Sequence, residues 1–175
     1  RSRMITKMPI RLLTLQVLDL PTRRVFWDIG FCTGSVSIET RLQFPHLQIC
    51  SFEIRPECER LIDINSHRFG TPGIQIVIGD FLETDISLLP APDAVFIGGH
   101  GGKLKEMLRK IQSVLLPGGC IVFNSVSPES RAVFEEGARE MRLQLYPTRH
   151  IALDDYNPIT IIKAVYPVDN ANPTG

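Results

Sequence analysis

Residues 25–35 read Val-Phe-Trp-Asp-Ile-Gly-Phe-Cys-Thr-Gly-Ser, and this stretch decides the fold. Val25–Trp27 is short, apolar and β-prone, Asp28 to Ser35 is a glycine turn, and a helical pattern starts immediately afterwards. A strand that runs through such a turn into a helix exposes backbone at the carboxyl edge of a sheet, where helix N-termini attract ligands. Outward from this turn, short apolar runs recur at Gln48–Phe52, Ile74–Ile78, Ala94–Ile97 and Cys120–Phe123. Each is bounded by turn residues, as strands buried on both faces are. Between them Leu104, Met107, Leu108, Ile111 and Leu115 recur at helical spacing, and Ser127-Pro128 reads as a helix start. The alternation predicts an α/β fold with a mostly parallel, helix-covered sheet. Arg142–Tyr146 and Ile159–Val165 have no helical pattern between them and are expected to pair antiparallel. One domain, with a core from Thr6 to Tyr166 and a loose tail, accommodates the chain.

The chain has 175 residues, 43% hydrophobic and 22% charged, with 19 basic and 19 acidic side chains. That length buries a core without help from disulfides or metals. Neutral overall charge disfavours nucleic acid and membrane surfaces as partners. A local basic excess near the start, with Lys7 and Arg11 in it, suits an anionic ligand. Cys32, Cys50, Cys58 and Cys120 are too widely spaced for a zinc or redox motif, so no metal is expected and the reading is a reducing cytoplasm. No apolar run approaches the roughly 20 residues that span a bilayer, and the first residues lack a signal-peptide core. The sequence starts at Arg1, which suggests a piece of something longer.

The turn also limits its ligand. A dinucleotide fingerprint spaces its glycines as Gly-x-Gly-x-x-Gly, whereas here Asp28 precedes Gly30 and the next glycine is Gly34. An acid repels pyrophosphate but suits an ammonium, which points to S-adenosylmethionine. Glu53 ends the second strand, where a carboxylate accepts ribose hydroxyls. Asp80 follows the third strand, placed to accept from an adenine amino group, with Phe81 beside it. The fourth strand opens into Gly98-Gly99-His100-Gly101-Gly102, whose amides before a helix form a nest for carboxylates. His100 exchanges a proton near neutral pH. Asn124, at the end of the fifth strand, is expected to point its amide into the same pocket.

Several stretches together resemble one family: Ile5-Thr6-Lys7, the run from Trp27 through Gly34 to Glu39, Asp93 to Gly99, Leu116 to Gly119, and Asn157-Pro158. They are similar to the decarboxylating precorrin methyltransferases of cobalamin synthesis, with the double glycine after the fourth strand as the specific part. The resemblance implies a Rossmann-like class I methyltransferase fold with a seven-stranded sheet whose last strand is antiparallel. It implies methylation at C15 of a precorrin or cobalt-precorrin and loss of carbon dioxide from the C12 acetate. Carried over by position, Thr6, the turn Gly30-Phe31-Cys32-Thr33-Gly34, Glu53 and Phe81 would surround S-adenosylmethionine, while Lys7, Arg11 and the 98–102 loop would meet a polyanionic tetrapyrrole. The family also implies a homotetramer and, in some members, fusion behind a C5-methyltransferase domain. Cys32 stands at a usual glycine, His100 at a usual serine and Pro9 at a common acid. A cysteine at 32 is tolerated provided its backbone keeps negative φ. Two other readings stay open: a methyltransferase of this fold acting on tRNA or another small molecule, and a non-catalytic module that has lost the cofactor.

Overall fold

Strands too apolar to tolerate a wet face form the centre of the sheet. In the computed structural model, which describes residues 6–154 and 156–168, β1 (Val25–Ile29) is buried at all five positions. It pairs in parallel with β2 (Gln48–Glu53) on one side and β4 (Ala94–Ile97) on the other. Beyond them lie β3 (Ile74–Ile78) and β5 (Cys120–Ser125), also parallel. β8 (Ile159–Val165) inserts antiparallel beside β5, and β6 (Gln144–Leu145) and β7 (Arg149–Ile151) both pair with its far side.

The order β3-β2-β1-β4-β5-β8-β6 confirms the mostly parallel α/β sheet with an antiparallel last strand. The chain runs outward from β1 to β3, then returns to start β4 on β1's other side. Such a reversal opens a crevice beyond the carboxyl ends of the two central strands.

Two details differ from the sequence reading. β1 extends through Asp28, which therefore belongs to the strand and not to the turn. Among the described residues the sheet has eight strands rather than seven, because the arm facing β8 is split. Pro147, which has no N–H for the ladder, separates β6 from β7, so one seventh position is occupied by two short pieces.

Alternation along the strands sorts the core into two layers. Trp27, Ile97, Ile121 and Phe123 face α4 (Leu104–Gln112) and α5 (Pro128–Glu140). Phe26, Phe96 and Val122 face α1 (Met8–Leu18) and α2 (Ser35–Gln43). α3 (Glu57–Phe69) closes a smaller cluster through Cys58 and Ile62 against Phe31. α4 shows how pattern becomes packing, since Leu104, Met107, Leu108 and Ile111 are all buried on one stripe.

β8 is the strand on which the second half of the sheet depends, and Ile162 on it is fully buried. Ile162→Ala is expected to cost about 2–5 kcal/mol in denaturant unfolding. A loss below about 1 kcal/mol would show that β8 is not a central strand.

Candidate active site

At the crevice predicted by the strand reversal lies an open cleft of about 370 Å³. Gly30 and Cys32 form one wall, Glu53 and Arg55 a second, Asp80 and Phe81 a third, and the loop Gly98–Gly101 the fourth. The walls meet by backbone contact. Gly98 N–H donates to the Ile29 carbonyl at 2.8 Å, and a Cβ placed on Gly30 would lie 2.6 Å from the Gly99 nitrogen. Only glycine permits that approach. Gly98 and Gly99 thus hold the first turn in place, while Gly101 and Gly102, at φ 53° and 81°, are exposed with open space where a side chain would stand.

The three acids have three different environments. Asp28 is 1% exposed, accepts a 2.5 Å hydrogen bond from Ser37 on Oδ2, and keeps Oδ1 buried with no donor among the described residues. Burial pushes its carboxyl from 3.8 up to about 7, against the pull of hydrogen bonds from the Ser37 hydroxyl and amide. Glu53 is also buried, but Arg55 grips it with Nε at 2.9 Å on Oε1 and Nη2 at 2.9 Å on Oε2, and Cys32 N–H adds a bond of 2.9 Å. Burial raises the Glu53 carboxyl, yet the Arg55 side chain, the Arg55 amide and the Cys32 amide outweigh it and hold it below the usual glutamate value. Asp80 accepts from Leu82 N–H and Lys103 Nζ, and these two donors keep it ionised below the ordinary range.

Other expected residues lie elsewhere. Phe31 is core, packed with Cys58 and Ile62, and the Thr33 carbonyl accepts from Asn65 at 3.0 Å. The Thr6 carbonyl accepts from Arg11, whose guanidinium is paired with Glu39 at 3.2 Å, and Lys7 Nζ sits 4.5 Å above the Tyr156 ring. None of these side chains lines the cleft. Asn124 corrects the expectation made for it. Its Nδ2 donates to Thr14 of α1 at 2.9 Å, because alternation on β5 sends Asn124 with Cys120 and Val122 to the α1 face. Phe123, its neighbour, faces the other way and supports His100, ring centroids 5.6 Å apart. His100 and Asn124 are on opposite sides of the sheet. Among the described residues, no three His, Cys, Asp or Glu side chains gather as a metal site would require.

With this geometry in place, residues 1–170 match the family described as precorrin methyltransferase domain. The chain belongs to that family. It is 39% identical over 126 residues to the cobalt-precorrin-6B C(15)-methyltransferase (decarboxylating) of Salmonella typhimurium, spanning 72% of this chain and 64% of that protein. It is 39% identical over 129 residues to the precorrin-6Y C(5,15)-methyltransferase [decarboxylating] of a Sinorhizobium species, spanning 74% of this chain and 31% of that one. The chain therefore spans less than two thirds of either relative. The crystal structure of precorrin-6y C5,15-methyltransferase from Geobacter metallireducens superposes with a TM-score of 0.84 at 31% identity, covering 94% of this chain and 91% of that one. The Rossmann-like methyltransferase fold and the family resemblance are both borne out.

Two residues of the cleft have local geometry that bears on its chemistry. Cys32 has φ 55°, so the condition of negative φ set for its tolerance is not met. A side chain in that left-handed region costs about 1–2 kcal/mol, and Gly30 and Gly34 on either side share the positive sign. The gain is the Cys32 amide, aimed at Glu53. At His100, Nδ1 accepts from Gly102 N–H at 3.1 Å, which places the proton of the neutral ring on Nε2. Burial lowers the imidazole below 6.5, so the ring stays neutral over most of the physiological range. Nε2, with no partner among the described residues, belongs to a ring that lines the cleft.

Sequence reading missed Arg55, Lys103 and Met107 in the lining. Arg55 follows Glu53 by two residues, but that spacing alone does not report the contact.

Asp28 makes a pH signature. Its carboxyl is raised in the folded state, so its stabilising contribution is whole below about pH 4 and disappears as pH rises through about 7. Asp28→Asn is expected to flatten that decline, making the variant more stable than the native protein at about pH 8 by on the order of 2–4 kcal/mol, with the two converging near pH 4. Denaturant titrations across that range measure it. Parallel curves would show that the buried carboxyl does not titrate as its burial requires.

Proposed function

We propose that the chain is an S-adenosylmethionine-dependent methyltransferase acting at C15 of a precorrin or cobalt-precorrin, with loss of carbon dioxide from the C12 acetate. The observation that carries the reading is the convergence of Gly30, Cys32, Glu53 and Asp80 on one cleft in a member of this family. The printed names of the Salmonella and Sinorhizobium relatives support the substrate class.

The residues present fit that cofactor. Asp28 Oδ1 is a buried acceptor without a donor among the described residues; Asp28 lies behind the cleft lining, under the turn, where its carboxylate favours an ammonium held above it. Glu53 takes the ribose hydroxyls, while Asp80 and Phe81 receive the adenine. Gly30 in the wall of the cleft meets the methionine portion by its backbone, and Thr6, whose side chain lies outside the cleft lining, is assigned to the same portion by family resemblance. When bound, the cofactor supplies an activated methyl group on a sulfonium. The chain's task is to hold the acceptor carbon in line with that methyl and to exclude water, which supplies most of the acceleration without a catalytic base.

Decarboxylation releases the acetate carboxyl as carbon dioxide and leaves the electron pair of the broken carbon–carbon bond in the conjugated ring. The remaining methylene then takes a proton to become a methyl. The proton comes from solvent; His100 Nε2–H offers only a hydrogen bond toward this chemistry, and the amides of the 98–102 loop hold neighbouring carboxylates. Lys7 adds positive charge from α1's entrance, with Arg11 behind it. Asn124 acts at most through Thr14 and α1.

The proposal includes a single methyltransferase domain, a homo-oligomer, the homotetramer by family resemblance, and the cytoplasm. It places the chain behind a C5-methyltransferase domain, an arrangement supported by the C(5,15) name of a relative of which this chain spans 31%.

The direct test is incubation with precorrin or cobalt-precorrin and S-adenosylmethionine, following methyl transfer and carbon dioxide together. Activity on tRNA with none on the tetrapyrrole would replace this reading. Glu53→Ala is expected to weaken S-adenosylhomocysteine binding by about 1.5–3 kcal/mol, the range for hydrogen bonds to a charged group. Unchanged affinity would remove Glu53 from the ribose. Gly101→Val places a β-branched residue at φ 53° and is expected to abolish turnover while sparing cofactor affinity. Loss of cofactor binding with the fold intact would assign the loop to the donor side.

A further inference from the structure

Each Glu53 oxygen accepts two hydrogen bonds: Oε1 from the Arg55 amide at 3.1 Å and Arg55 Nε at 2.9 Å, Oε2 from the Cys32 amide at 2.9 Å and Arg55 Nη2 at 2.9 Å. A carboxylate offers about four lone-pair sites, so this set is complete. The ribose role proposed for Glu53 asks the same two oxygens to accept two hydroxyls. Both arrangements cannot hold at once.

We propose that Arg55 is a latch on the cofactor site, released when the ribose takes its place on Glu53. The inference rests on the S-adenosylmethionine reading and adds a regulatory contact to it. The exchange is feasible because the two partners differ in burial. The Glu53 side chain is 3% exposed and that of Arg55 is 45% exposed. A buried carboxylate left without a partner is strongly destabilising, so Glu53 must always be paired. The half-exposed guanidinium, by contrast, has water to move into. The two backbone amides from Arg55 and Cys32 remain in either arrangement, and the fork of Nε and Nη2 is what leaves.

The latch has a property that a merely structural ion pair lacks. Salt screens the attraction between Arg55 and Glu53, most effectively on the exposed side. Cofactor affinity in the native protein therefore rises with ionic strength, and removing the guanidinium abolishes that dependence.

Calorimetric titration with S-adenosylhomocysteine tests this, using the native protein, Arg55→Met and Arg55→Lys at low and high salt. Arg55→Met is expected to bind about two- to fivefold more tightly than native at low salt, the range set by exposed ion pairs, and to lose the salt dependence. Arg55→Lys, a point charge without the fork, falls between them. Binding only by Arg55→Met also supports the latch. Unchanged or weaker affinity in Arg55→Met, with its thermal transition intact, overturns it. Should that variant fail to fold, the native salt series decides: affinity that is flat or falling with salt overturns the proposal. Absence of binding by every form removes the S-adenosylmethionine reading and the latch with it, whereas native binding without the Arg55 effects removes the latch alone.

Discussion

The backbone contact between the first turn and the fourth-strand loop is the constraint on which the cleft depends. Ile29 and Gly98 share a hydrogen bond of 2.8 Å, and Gly30 lies so near Gly99 that a methyl group on it would collide with main-chain atoms. Neither side can yield, since each loop is the direct extension of a fully buried strand. The contact fixes the turn over β1 and β2, where the Cys32 amide meets Glu53, and sets the loop up to Gly101 as the facing wall of the cleft. A side chain at Gly30 would separate the turn from the loop, and with it the proposed donor side from the proposed acceptor side.

Around that contact the electrostatics are arranged by burial. Asp28 is isolated among hydroxyls of Ser37 and Ser51 and is pushed toward neutrality. Glu53, a few residues away in space, stays charged because donors converge on it. Asp80 remains ionised at the rim through Leu82 and Lys103. Three carboxylates in one region would repel one another if all were equally charged and equally buried. Here each meets a different partner, and the cleft keeps one strongly paired anion at its centre. His100 completes the set as a neutral donor, its tautomer fixed by its own loop.

The parallel strands, the covering helices, the antiparallel β8 and the acids at the strand ends were legible in the sequence. Strand ends fall where apolar runs meet glycine and acid, and that junction is a local property. Asn124 was misplaced although the needed signal, alternation along β5, was available: Phe123 and Asn124 cannot face the same layer. The split into β6 and β7 was marked by Pro147. The Gly30–Gly99 contact was not legible, because it depends on the distance between two loops nearly seventy residues apart. The positive φ of Cys32, in a turn whose two glycines share that sign, was likewise not legible. Arg55's grip on Glu53 depends on a rotamer and on the absence of a nearer partner, which no spacing rule reports.

Glu53, at the carboxyl end of β2, is the proposed ribose acceptor of this cleft. A crystal structure of the native protein with S-adenosylhomocysteine tests it most directly. The expected complex has both ribose hydroxyls on the Glu53 carboxylate, the Cys32 amide still in place, and the Arg55 guanidinium turned away toward solvent. A ribose bound elsewhere while the Arg55 fork remains on Glu53 would contradict it.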